Sequence, residues 1–72
     1  MSMTTDELIR IVSAGASVTL DVGTRTKDEL VTIAGAAADS EVLVTFRNLG
    51  EMAVDDLVEI AKAGDGSVTF EF

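Results

Sequence analysis

The stretch Asp55–Phe72, DDLVEIAKAGDGSVTFEF, is the third statement of a phrase already heard at Asp6–Val22, DELIRIVSAGASVTLDV, and at Asp28–Phe46, DELVTIAGAAADSEVLVTF. The three align on Leu8, Leu30 and Leu57, each preceded by two acids: Asp6–Glu7, Asp28–Glu29 and Asp55–Asp56. Three residues on stands an isoleucine (Ile11, Ile33, Ile60), followed by Val12, Ala34 or Ala61. Apolar residues at i, i+3 and i+4 fall on one stripe of an α-helix. After each helical segment the pattern changes to alternation, which is the period of a strand.

The starts and ends of these segments carry their own signals. Thr4 with Glu7, and Thr26 with Glu29, match the Thr-x-x-Glu capping box, in which each side chain satisfies a free amide of the first turn. Ala53 holds that place in the third segment, so its helix has the weakest start, by about 1 kcal/mol. Gly15 and Gly64 each stand seven residues beyond the aligned leucine, where a left-handed C-terminal residue suits glycine. In the middle segment Gly35 lies inside the helical pattern and AAADS carries the helix on. Its run of small residues suits a helix hemmed in by neighbours on both sides.

In the strands, Val18, Leu20 and Val22 share one face. Val42, Val44 and Phe46 do the same in the second, and Val68, Phe70 and Phe72 in the third. The connections GTRT and RNLGE are short and place glycine at turns. The chain therefore reads α-β-α-β-α-β. Two successive right-handed crossovers give a three-stranded parallel sheet, and the order 1-2-3 puts all three helices on one face. The expected fold is a two-layer α/β domain over residues 1–72, built of three αβ repeats at roughly 4–22, 26–46 and 53–72. Strand alternation favours this order, because a sheet covered on both faces shows near-continuous apolar runs; the alternative order 2-1-3 would cover both. The rhythm resembles that of the α/β repeats of leucine-rich-repeat-like proteins, without their asparagine ladder or strand–loop signature.

Composition narrows the function. The chain has 72 residues, no cysteine and no histidine. Disulfides are therefore excluded, a zinc or iron–sulfur centre is not expected, and no cofactor is implied. A domain of this size buries only about 60% of the surface its unfolded chain exposes, so a second chain is the reinforcement that remains open to it. Thirteen acids against five basic residues give a net charge of −8, which disfavours contact with nucleic-acid phosphates and with anionic membranes. No apolar run approaches the roughly 18 residues of a membrane span. The opening MSMTTDEL lacks the pattern of a signal peptide, and a cytoplasmic location is expected.

Four constellations could carry chemistry. The six acids at the helix starts would gather on the rim where the strands end, the usual ligand edge of open parallel sheets, although acids in a first turn also serve the helix dipole alone. Arg25, Arg47 and Asn48, in the loops at that edge, are expected to pair with those acids rather than to hold an anion. Ser40, in ADSEV, superficially matches the modified serine of acyl carrier proteins, but it follows a helix and leads into a strand instead of opening a helix. With histidine, cysteine and tyrosine all absent, the common catalytic bases and nucleophiles reduce to carboxylates, lysine and hydroxyls, and no enzymatic activity is expected.

The remaining feature is a surface. In the 1-2-3 order, Thr19, Asp21, Leu43, Thr45, Thr69 and Glu71 lie on a sheet face with no helix of its own, and the first and third strands are open edges. The expectation is a protein-interaction module, with self-association or a protein partner engaging that face or the third strand's edge. The alternative is an acidic mimic of nucleic acid that occupies a DNA- or RNA-binding protein.

Overall fold

The computed structural model describes residues 3–50 and 52–72. Elements alternate along the chain: α1 (Thr5–Ser13), β1 (Val18–Asp21), α2 (Lys27–Ser40), β2 (Val44–Arg47), α3 (Val54–Gly64) and β3 (Val68–Glu71). The strands form one parallel sheet in the order β1-β2-β3, which sets aside the order 2-1-3. All three helices pack against one face of it, and α2, the longest, touches both α1 and α3. The middle position expected from its small residues is the one it occupies.

Local chemistry accounts for most element boundaries. The Glu7 N–H donates to Thr4 Oγ1 at 3.2 Å and the Thr4 N–H to Glu7 Oε1 at 2.9 Å. The same reciprocal pair joins Glu29 and Thr26 at 3.3 and 2.9 Å, so both capping boxes form. Ala53 caps α3 with no side-chain bond. Glu51, part of the loop read as RNLGE, lies outside the described residues.

The helix ends hold one correction. Gly15 follows α1 at φ +105, in the backbone region that glycine tolerates. Gly64 is instead the last residue of α3, in ordinary helical geometry, and the left-handed residue is Asp65 at φ +44. Glycine is present at 64 for space. A Cβ there would overlap Val68 Cγ2 and lie 3.1 Å from Val68 Cβ, because the chain doubles back from α3 into β3 across this point. The Ser67 N–H donates to the Gly64 carbonyl at 2.8 Å, closing the turn.

The core lies between the helices and one face of the sheet. Phe46, Leu30, Ile33, Ile60, Val12 and Val44 are fully buried. The Phe46 ring stacks near that of Phe70, with centroids 6.4 Å apart. Leu49, in the loop after β2, is buried as well and plugs the end of the layer. The front rows run in register across the sheet, Val18–Val44–Val68 and Leu20–Phe46–Phe70. Phe72 shares their alternation but lies beyond β3 and is 91% exposed.

Candidate functional site

The opposite face of the sheet has no covering layer among the described residues. Pleating sends alternate side chains there, and strand register arranges them in rows. Thr19, Thr45 and Thr69 form one row; Asp21, Arg47 and Glu71 form the next. Just before the strands' first paired residues stand Ser17, Leu43 and Ser67, and the Leu43 N–H donates to Ser17 Oγ at 3.1 Å. The six residues singled out in the sequence, Thr19, Asp21, Leu43, Thr45, Thr69 and Glu71, are thus brought together on one surface. Thr45, on the central strand, is half-buried and the other five are exposed.

Leu43 is 44% exposed at one end of the central strand. At the other end Arg47 Nε contacts Glu71 Oε1 at 2.9 Å, with both side chains more than half exposed. That ion pair corrects an expectation: Arg47 is the last residue of β2, not a loop residue, and it pairs with a strand acid. Register places it between two carboxylates, Asp21 and Glu71. The alternation Leu43–Thr45–Arg47 carries this in the sequence, but the turn-like composition of RNLG masks it.

Arg25 departs from expectation as well. Its Nη2 donates to the Met3 carbonyl, and its Nε is buried without a partner among the described residues. Asn48 adopts a left-handed conformation at φ +56, turning the chain out of β2. None of the three makes an ion pair with the acids at the helix starts among the described residues.

Of those acids, Glu7 and Glu29 are engaged within the helix layer through their capping boxes. The Thr5 hydroxyl donates to Glu29 Oε2 at 2.6 Å and ties α1 to α2. Hydrogen bonding by the Thr26 backbone, then by the Thr5 hydroxyl, holds the Glu29 carboxyl below its ordinary range, with a smaller contribution from the Arg25 charge. Lys27 Nζ meets Glu59 Oε2 at 3.1 Å, tying α2 to α3, and that carboxylate raises the lysine's affinity for its proton. Asp6, Asp28 and Glu29 border an open depression with Thr4, Thr5 and Thr32. No three potential metal ligands converge among the described residues. No described helix is long and apolar enough to cross a membrane. Compared with protein families, curated proteins and solved structures, the chain matches none.

Proposed function

We propose that this domain is a small, acidic, non-enzymatic protein-interaction module whose working surface is the bare face of the sheet. The observation that carries the reading is Leu43, a large apolar side chain exposed beside a row of threonines on a face with no covering layer. Parallel sheets are ordinarily buried on both sides, so a layer supplied by another molecule completes the usual arrangement.

The chemistry of the rows describes what fits. An apolar side chain of the partner settles on Leu43 and the threonine methyls, where removal of water provides the driving force. Hydrogen-bonding groups meet the threonine hydroxyls. Arg47 is already engaged by Glu71, which leaves Asp21 to receive a cation from the partner. The shortage of catalytic side-chain types supports a binding role over a chemical one, and the net charge of −8 disfavours a nucleic-acid ligand.

The test is comparative. A protein retained from lysate by the immobilised domain is identified, purified and titrated against the wild type and against L43K/T45K. The double variant keeps its far-ultraviolet circular dichroism and loses at least about tenfold in affinity, or roughly 1.4 kcal/mol. Equal affinity for both proteins would remove the bare face as the binding surface. Recovery of nucleic-acid-binding proteins, released by salt and indifferent to L43K/T45K, would favour the acidic mimic instead.

A further inference from the structure

The two ends of the sheet differ in what they show to solvent. Of the five large apolar side chains exposed among the described residues, Val54, Val58 and Phe72 lie at the α3/β3 end, Leu43 lies on the bare face of the sheet and Met3 at the start of α1. Val54, Val58 and Ala61 occupy i, i+4 and i+7 and form a single stripe along α3. Glu59 is turned the other way, toward Lys27 of α2. α3 touches β3, in which Phe70 is half-buried.

We infer that this end binds a second copy of the same chain, β3 against β3 in antiparallel fashion, with α3 packed on its symmetry mate. The inference rests on the reading of the domain as an interaction module but uses a different surface, so the two can fail separately. Main-chain direction fixes the pairing. The Val44 N–H donates to the Ser67 carbonyl, so Ser67, Thr69 and Glu71 turn their main-chain groups toward β2. Val68 and Phe70 turn theirs to the open edge. A two-fold axis at Phe70 sets Phe70 opposite Phe70 of the other copy and Val68 opposite its Phe72. That register joins outward-facing main-chain groups to one another and covers Phe72.

Charge decides between this arrangement and the alternative. Stacking head to tail, β3 beside β1 of the next copy in the register already used within the sheet, would set Glu71 next to Asp21, two like charges directly opposed. In the two-fold arrangement, antiparallel α3 helices crossing between Val58 and Glu59 bring Asp55 of each copy against Lys62 of the other. The domain measures 30 × 28 × 18 Å, so a small end face offers at most about 500 Å² per copy for pairing. A total of at most about 1,000 Å² lies at the lower limit of specific interfaces, so a dimer in equilibrium with monomer is the expected state. Because each copy carries −8, added salt screens the mutual repulsion and favours the dimer.

Light scattering after size exclusion, across about a hundredfold dilution, tests this on the whole chain. The wild type is expected to pass from dimer to monomer on dilution, with the dimer favoured by salt. V54K/V58K alters only exposed positions; its dissociation constant should rise at least about tenfold with circular dichroism unchanged. D55K and K62D should each weaken the dimer about fivefold, and D55K/K62D together should restore it. L43K/T45K should dimerise as the wild type does. A wild type that is monomeric at every concentration overturns the inference and leaves the proposed function standing with a different partner. Dimerisation lost in L43K/T45K but kept in V54K/V58K also overturns it, moving self-association to the bare face.

Discussion

Thr45 and Phe46 are neighbours in one strand and sit in different surroundings. Phe46 is fully enclosed by the helix layer; Thr45 faces outward from the same strand between two other threonines. The sheet thus divides its side chains between two tasks. One set is committed to folding, and the other is held in fixed rows that the core does not use. In so small a domain that separation is useful, because outward-facing residues can be changed for binding at little cost to the fold. The sharpest way to break this view is to truncate both neighbours. Phe46→Ala is expected to cost about 3–5 kcal/mol, a large part of the few kcal/mol such a domain possesses. Thr45→Ala is expected to cost less than about 1 kcal/mol. Urea denaturation of the two variants measures both, and comparable losses would mean that the rear face is part of the folding core.

The helix layer contains a second instructive pair. Gly35 and Gly64 both lie within helices, but a Cβ at 35 would meet nothing within 4 Å, whereas at 64 it would collide with Val68. Gly64→Ala is therefore expected to destabilise by about 1–3 kcal/mol through overpacking. Gly35→Ala should stabilise by about 0.5–1 kcal/mol, since it relieves the entropic cost of glycine in a helix. Opposite signs in thermal melts sharpen the contrast between a glycine kept for clearance and one that packing does not require. A further check is coupling: Gly64→Ala should cost less in a Val68→Ala background than alone.

The helix starts give a smaller effect. α1 and α2 open on threonine caps that form complete boxes, while α3 opens on Ala53 without one. Ala53→Thr should stabilise the domain by about 1 kcal/mol. A denaturation midpoint that falls instead would show that the Ala53 backbone cannot present a threonine to the amides of α3.

Much of this was legible in the sequence because two periods carried it. The 3.6-residue stripe of Leu8, Ile11 and Val12 gives way to the two-residue alternation of Val18, Leu20 and Val22, and the same change recurs twice. Local order of that kind is independent of distant contacts. Thr4 and Thr26 were readable for the same reason, since a cap is settled within four residues. Gly64 was not. A glycine near a helix end can serve either conformation or clearance, and only the return of Val68 over the turn distinguishes them. Arg47 was hidden by the asparagine and glycine that follow it; its place between Asp21 and Glu71 depends on strand register. The rows of the rear face follow from alternation, while Leu49 filling the end of the core from a loop had no local signal.

The smallest effect contrasts the two capping-box acids. Among the described residues Glu7 bonds only within its own box, whereas Glu29 also accepts a hydrogen bond from Thr5 and so joins two helices. Hydrogen bonds from the Thr26 backbone and the Thr5 hydroxyl favour the charged form of Glu29 and depress its folded-state pKa. A carboxyl depressed on folding adds stability that is present above its unfolded-state pKa and lost as pH falls through the folded one. Glu29→Gln keeps a side chain suited to the box but cannot titrate. Its stability should therefore decline less steeply than the wild type's as pH drops below the ordinary carboxylate range. Thr5→Val, which removes the bond from α1 to Glu29, should flatten the wild type's curve less than Glu29→Gln does. Melting temperatures across the acid range measure the two slopes. A Thr5→Val curve as steep as the wild type's would show that the link between α1 and α2 adds nothing to what the Thr26 box already does for Glu29.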